Sequence, residues 1–126
     1  MFGLTKRIPI YIRIFRDKIV AKRLDNNQEV ALLTDPPISN NRLLLANYDS
    51  LVTNLTVVVN MLNRSMVVNK YKFIFQLVDK ELTHVAQTEK MCLNDAGLAC
   101  GASWVYIVDH SEELRDAELS KIITAR

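Results

Sequence analysis

The first third of the chain alternates apolar and polar positions, and a period of two residues is typical of a β-strand with one buried face. Four isoleucines share that face, at Ile8, Ile10, Ile12 and Ile14. Polar clusters interrupt the alternation at 17–18 and 25–28, and their aspartates and asparagines favour turns because these side chains bond the local backbone. The pattern predicts an antiparallel meander of three strands, over 8–15, 19–24 and 29–33.

From residue 47 onwards the apolar positions change to the spacing of three and four that one face of an α-helix requires. Leu51, Leu55 and Val58 keep this spacing in a predicted helix over 47–63. Residues 70–78 are apolar on both faces, which suits a strand at the centre of an α/β sheet. The pattern then predicts a helix over 83–100, a strand over 104–108 and a last helix that follows Ser111.

The element order β-β-β-α-β-α-β-α predicts an α/β fold, with a mixed sheet and helices on its faces. The one stretch that resembles a linker, 35–41, contains two prolines but is too short to separate two domains. We therefore expect a single domain over 1–126, in which 1–6 and 124–126 are loosely held ends.

The composition is that of a globular protein, because 49% of the 126 residues are apolar and 24% are charged. The net charge of +2 is too small to indicate a nucleic-acid partner, and we expect none. Cys92 and Cys100 lie on one predicted helix, where about 12 Å separates them, too far for a disulfide. We interpret both as small buried side chains of a reducing compartment, so the predicted location is cytoplasmic.

The sequence predicts no transmembrane segment, since no stretch of about 18 apolar residues is present. Phe2 and Leu4 precede Lys6 and Arg7, a pattern that permits weak contact with a membrane surface. A frayed terminus is the simpler interpretation of the same residues.

Motifs that define common enzyme classes are absent from the sequence. Neither a P-loop nor a G-x-G-x-x-G turn occurs, and we expect no cofactor, no metal and no catalytic residue. The best-placed polar cluster is Asp109, His110 and Ser111, because ligands of α/β sheets bind at the carboxyl ends of strands. This cluster would suit a small enzyme or ligand-binding domain. The alternative is a solvated loop in which Ser111 caps the last helix.

Basic residues crowd the first predicted hairpin and form a candidate docking face for an acidic protein or an anionic lipid. They are Arg13, Arg16, Lys18, Lys22 and Arg23. The alternative is a solvated strand face whose lysines guard a sheet edge.

The predicted helix over 47–63 is apolar on several sides, and such helices are buried in a core or against another chain. Val58 and Met61 of this helix are candidate interface residues. Trp104 is a third, because aromatic side chains are enriched at protein interfaces. Together they predict that the protein associates with itself.

Residues 89–105 read EKMCLNDAGLACGASWV, a helix rich in small residues that runs directly into a strand. This segment resembles bacterial actin homologues of the rod-shape-determining branch, whose helix of type E-R-x-A-x-x-x-A-x-x-A-G-A does the same. The layout of 11–24, 47–62 and 71–77 is similar too. The resemblance implies half of an actin-like, ribonuclease-H-type fold, in which Ala96, Ala99, Gly101 and Ala102 let the helix end lie close to the sheet.

The sequence departs from that family where the family binds nucleotide. The family has an Asp-x-Gly-[Thr/Ser] turn in its first hairpin, but this chain has Phe15, Arg16 and Asp17 there, with no glycine for close phosphate approach. The threonine expected before the helix glutamate falls at Ala86. The second half of the fold does not fit within 126 residues.

The resemblance therefore implies a degenerate subdomain without the ATPase apparatus, a non-enzymatic interaction or scaffold module linked to bacterial cell-shape or envelope machinery. Its expected partners are proteins, including itself. Two alternatives stay open: a small enzyme or ligand-binding domain at Asp109 and His110, and an ATPase half that needs a separately encoded partner.

Overall fold

The computed structural model describes residues 7–40, 43–63, 70–79 and 85–124. Within these ranges the strands and helices follow one another in the predicted order. They are β1 (Ile8–Ile14), β2 (Lys18–Arg23), β3 (Glu29–Leu33), α1 (Tyr48–Leu62), β4 (Tyr71–Leu77), α2 (Gln87–Ala99), β5 (Ala102–Val108) and α3 (Asp116–Thr124).

The five strands form one mixed sheet in the order β3-β2-β1-β4-β5. β1, β2 and β3 are the predicted antiparallel meander, and β4 and β5 run parallel to β1. Ile12 lies opposite both Ala21 of β2 and Phe75 of β4, so β1 is in the middle of the sheet. β4 lies between two parallel strands and Phe73, Ile74 and Phe75 have no exposed surface, so its predicted central place is confirmed.

The two faces of the sheet have separate cores. α1 and α2 cover one face, where Leu51 and Leu55 pack with the isoleucines of β1. α3 covers part of the other face, where Leu119 packs with Tyr11 and Ile74. The predicted α/β fold with helices on its faces is confirmed, and full burial of each such side chain contributes about 1.5–3 kcal/mol.

The helix ends follow the local sequence. Asn47 caps α1, since its Oδ1 accepts a hydrogen bond from the Ser50 N–H at 3.1 Å. α2 ends at Ala99, two residues before Gly101, whose φ of +101° favours glycine. The predicted start of this helix at Thr83 lies outside the described residues. In the described part, α2 begins at Gln87 after Ala86.

Ala86 therefore stands at the cap position of α2 and offers no side-chain acceptor to the helix. Glu89 partly compensates, because its Oε1 accepts a hydrogen bond from the Ala86 N–H at 3.0 Å. None of the helices among the described residues has the length and apolar character that a membrane span requires. The expected surface contact of the N-terminus lies outside the described residues.

Candidate functional site

The ends of four strands meet at one edge of the sheet, because β1, β3, β4 and β5 all point the same way. Ligands of α/β sheets bind at this carboxyl edge. Arg16 of the β1–β2 turn reaches across it, with one guanidinium nitrogen 2.9 Å from Asp79 Oδ2 and another donating to the Asn40 carbonyl at 2.8 Å. The Ser39 hydroxyl donates to the Arg16 carbonyl at 2.7 Å. The turn is thus tied to the segments that follow β3 and β4.

An aromatic side chain and two cationic side chains lie close together at the β1–β2 turn. The Phe15 N–H donates to the Lys18 carbonyl at 2.8 Å, which closes a tight hairpin with Arg16 at its tip. Two cations lie close to the Phe15 ring: its centre is 5.2 Å from the Arg13 guanidinium carbon and 4.8 Å from Lys18 Nζ. The turn therefore presents aromatic and cationic side chains at the carboxyl edge.

A buried glutamine connects the sheet to the chain after β5. The Gln76 side chain has no exposed surface, and its Oε1 accepts hydrogen bonds from the Tyr11 hydroxyl and from Arg13 Nε. Its Nε2 donates to the carbonyl oxygens of His110 at 2.9 Å and Glu112 at 2.7 Å. The amide thus uses all of its donors and both acceptor positions.

Tyr11 and Arg13 extend this connection. The Tyr11 hydroxyl accepts a hydrogen bond from the Leu114 N–H at 3.1 Å, and burial raises the pKa of Tyr11. Arg13 donates to the Ser111 carbonyl at 3.4 Å and lies 3.6 Å from Glu113 Oε1. Residues 110–114 are therefore bound to the sheet mainly through their backbone.

Asp109, His110 and Ser111 are adjacent but play different structural parts. Asp109 Oδ1 accepts a hydrogen bond from the Val85 N–H at 3.0 Å, which ties the end of β5 to the approach to α2. The His110 side chain is exposed. The prediction that Ser111 caps the last helix is wrong: bonds to the sheet hold its backbone in the connecting loop, and α3 begins at Asp116.

An open groove of about 390 Å³ lies beside this cluster, between the end of β5 and α3. Its lining includes Tyr106, Val108, Asp109, His110, Glu118 and Lys121. The ionisable side chains of Asp109, His110, Glu118 and Lys121 all belong to exposed residues, so water solvates them. The groove offers polar contacts to a ligand without a buried acid or base.

The five predicted basic residues do not share one face. Arg13, Lys18 and Lys22 lie on the α3 side of the sheet, whereas Arg23 lies on the α1 side and donates to the Leu62 carbonyl at 3.1 Å. The alternation of side chains along a strand explains this separation. Intramolecular carboxylates also neutralise most of these cations: the pairs are Arg13–Glu113, Arg16–Asp79, Lys22–Asp116 and Arg23–Asp25.

Only part of the predicted interface cluster is at the surface. Val58 has no exposed surface because it points from α1 into the core. The prediction that Val58 is an interface residue is therefore wrong. Met61 and Trp104 are half-buried. The Trp104 ring centre lies 6.1 Å from that of Tyr106 and 5.8 Å from Lys72 Nζ, on the α3 side of the sheet.

The two cysteines are free, as predicted, but half-buried rather than fully buried. Burial raises the pKa of both thiols, and the Cys100 thiol also lies 3.7 Å from Thr56 Oγ1. Both are weak nucleophiles at neutral pH, since only the thiolate reacts readily. Among the described residues, no group of three His, Cys, Asp or Glu side chains could hold a metal ion.

Sequence reasoning did not single out Gln76, the residue that organises the carboxyl edge. Its one signal is an amide that directly follows three apolar residues, Phe73, Ile74 and Phe75, inside a strand. Such an amide needs partners when it is buried, and its partners belong to β1 and to the chain after β5. No local pattern identifies partners so far away in the sequence.

Comparison with known proteins finds similarity in structure alone. No family profile and no curated protein sequence matches the chain. MreB5 of Spiroplasma citri bound to ADP superimposes with a TM-score of 0.57 and 11% identity, over 82% of this chain and 38% of that one. MreB5 of the same organism bound to AMPPNP gives 0.54 and 11%, over 81% and 38%. The fold is actin-like.

At 11% identity the likeness shows the fold and nothing finer. The five-stranded mixed sheet and its helices are consistent with half of an actin-like fold. The fold that the resemblance in 89–105 implied is confirmed. The chain spans 38% of the length of the MreB5 chains that it matches.

Proposed function

We propose that this actin-like subdomain is a non-enzymatic protein-interaction module that lacks a nucleotide site and associates with itself. The Arg16–Asp79 ion pair, at 2.9 Å, is the observation that carries the proposal. A phosphate at the carboxyl edge needs bare backbone N–H groups or an available cation. Here Arg16, at the tip of the turn, is neutralised by the carboxylate of Asp79, and this carboxylate adds a negative charge that repels phosphate.

The contrast with the structural neighbours supports the same proposal. Both MreB5 structures hold an adenine nucleotide, so the fold permits nucleotide binding. In this chain Phe15 and Arg16 occupy the first hairpin turn, and no glycine is present there. We assign the module to bacterial cell-shape or envelope machinery in the cytoplasm, on the strength of its actin-like fold.

A second candidate function is ligand binding or catalysis at Asp109 and His110. The groove of about 390 Å³ beside them favours it. If the groove binds a ligand, His110→Ala weakens binding, whereas a matched change at exposed Asn94 on α2 does not. Equal binding by both variants would exclude this candidate.

Self-association is tested by the molecular mass at sedimentation equilibrium over a wide range of protein concentration. We expect the mass to rise above the 14.4 kDa of the single chain as concentration increases. A mass that stays at 14.4 kDa at every concentration would contradict this part of the proposal.

A further inference from the structure

β3 is the last strand at one side of the sheet and pairs only with β2. Two hydrogen bonds fix the phase of that ladder: the Arg23 N–H donates to the Gln28 carbonyl at 2.8 Å, and the Thr34 N–H donates to the Asp17 carbonyl at 3.0 Å. In an antiparallel ladder, residues that bond the neighbour alternate with residues that do not. Every second residue from Gln28 to Thr34 therefore bonds β2.

The other residues of β3 direct their backbone away from the sheet. Val30 and Leu32 are in phase with the bonding positions, so the N–H and C=O groups of Glu29, Ala31 and Leu33 point outward. Within the described part of the chain, no hydrogen bond reaches these outward groups. They form a row of donors and acceptors that is ready to pair with another strand.

β3 lacks the features that normally prevent such pairing. An edge strand is usually protected by proline, lysine, a bulge or a covering segment. The sequence of β3 is EVALL, and its register with β2 runs without a bulge from Glu29 to Leu33. Leu33 is 74% exposed and Ala31 is also exposed. The edge is therefore regular and exposed, and Glu29 is its one charged residue.

We propose that β3 pairs antiparallel with β3 of a second copy of this chain, about a two-fold axis at Ala31. The inference rests on the proposed self-association and names its surface. Outward residues must face outward residues, so Ala31 faces Ala31 of the second copy and Glu29 faces Leu33 of the second copy. Each of these three pairs exchanges two hydrogen bonds, six in all. The two five-stranded sheets become one continuous sheet.

Charge disfavours one alternative register, the one with its axis at Glu29. Glu29 is the only charged residue of β3, and on its own sheet it lies beside Lys22. With the axis at Ala31, four side chains lie in one row across the interface. They are Lys18 and Leu33 of one copy, followed by Glu29 and Lys22 of the second copy. An axis at Glu29 would place two carboxylates face to face, which is unfavourable. An axis at Leu33 would leave most outward groups of β3 unpaired.

Substitutions at Ala31 test the interface without changing the core. Ala31→Pro removes an outward N–H but no bond to β2, and edge strands tolerate proline at such positions. Ala31→Lys places two ammonium groups together at the axis. We expect each variant to raise the dimer dissociation constant at least tenfold in sedimentation velocity. Met91→Lys, at an exposed position of α2, is the matched control and should dimerise like the wild type.

A cross-link tests the register directly. In the background Cys92→Ala, Cys100→Ala, we expect Ala31→Cys to form a disulfide-linked dimer on mild oxidation. Facing residues of a hydrogen-bonded antiparallel pair have Cα atoms about 5.5 Å apart, which suits a disulfide. Asn60→Cys, exposed on α1, is the control and should remain uncross-linked.

Three outcomes distinguish this inference from the proposed function. Loss of the dimer in both Ala31 variants, together with the cross-link, supports the β3 interface. A dimer that persists in Ala31→Pro and Ala31→Lys overturns the β3 interface but leaves self-association standing. A wild-type chain that stays monomeric overturns both, while the proposed absence of a nucleotide site is judged separately by nucleotide binding.

Discussion

Gly97 of α2 lies directly against Val105 of β5. A Cβ atom at Gly97 would stand 2.8 Å from Val105 Cγ2 and 3.1 Å from Phe75 Cε2. These distances are shorter than the optimal separation of carbon atoms, about 3.5–4.0 Å. The helix can approach the sheet this closely because Gly97 has no side chain.

We predict that Gly97→Ala destabilises the protein. Overpacking in a core costs about 1–3 kcal/mol, and the better helix propensity of alanine returns about 1 kcal/mol at most. The net loss should therefore reach about 1 kcal/mol, because Val105 is stiff and Phe75 is fully buried. The measurement is the free energy of unfolding in urea.

Asn94→Ala is the control for this change, since it raises helix propensity at an exposed position of α2 without a new contact. We expect it to leave stability unchanged or to raise it slightly. If Gly97→Ala were as stable as Asn94→Ala, the result would contradict the close contact between α2 and β5.

The same helix shows how far the sequence could lead. The order of elements and the small-residue segment identified an actin-like fold, because both are local properties of the chain. The face of α2 was harder to predict: Ala96 is buried as expected, but Ala99 faces solvent and Gly97 makes the close contact. Met91, also on this helix, is 57% exposed. Small residues on several sides of a helix do not identify the side that packs.

The carboxyl edge was less predictable still. Asp109, His110 and Ser111 were correctly placed after a strand, since that needs only the element order. The predicted cap at Ser111 failed because Tyr11 and Gln76, far away in the sequence, hold the following residues against the sheet. Interactions between distant segments depend on the assembled sheet, and no local pattern encodes them.

We predict that Gln76→Leu destabilises the protein by about 2 kcal/mol or more. The change leaves the Tyr11 hydroxyl and the carbonyl oxygens of His110 and Glu112 without their partner. Each buried polar group that loses its partner costs about 1–3 kcal/mol. The free energy of unfolding in urea measures the loss, and hydrogen exchange at the Leu114 N–H reports whether the loop has loosened.

A double-mutant cycle with Tyr11→Phe separates the network from simple packing. If Tyr11 and Gln76 act as one unit, the effects of the two changes are not additive, and the coupling reaches about 0.5–3 kcal/mol. Strictly additive effects would show that the two side chains contribute independently, contrary to the geometry described above.

We predict that stability declines in alkaline solution. Burial raises the pKa of the Cys92 and Cys100 thiols and of the Tyr11 hydroxyl. The unfolded chain therefore releases these protons at lower pH than the folded chain. The free energy of unfolding falls once the pH exceeds the pKa values of the unfolded chain. Below about pH 8 these groups add no pH dependence, and the thiol contribution begins near pH 8.5.

Urea unfolding between pH 7 and pH 10.5 measures this decline. A variant with Cys92→Ala and Cys100→Ala should lose the part of the slope that begins near pH 8.5, while the part from Tyr11, near pH 10, remains. A free energy of unfolding that rises between pH 8 and pH 10 would contradict the burial of these groups.

The most direct test of the account is a thermal-shift scan of the purified chain with magnesium and ATP, ADP or GTP. Because Arg16 is paired with Asp79 at the carboxyl edge, we predict that the melting temperature does not change with nucleotide concentration. A bound ligand at 100 times its dissociation constant would stabilise the chain by about 2.7 kcal/mol, which is a shift of several degrees. A rise in melting temperature that increases with nucleotide concentration would contradict an interaction module without a nucleotide site.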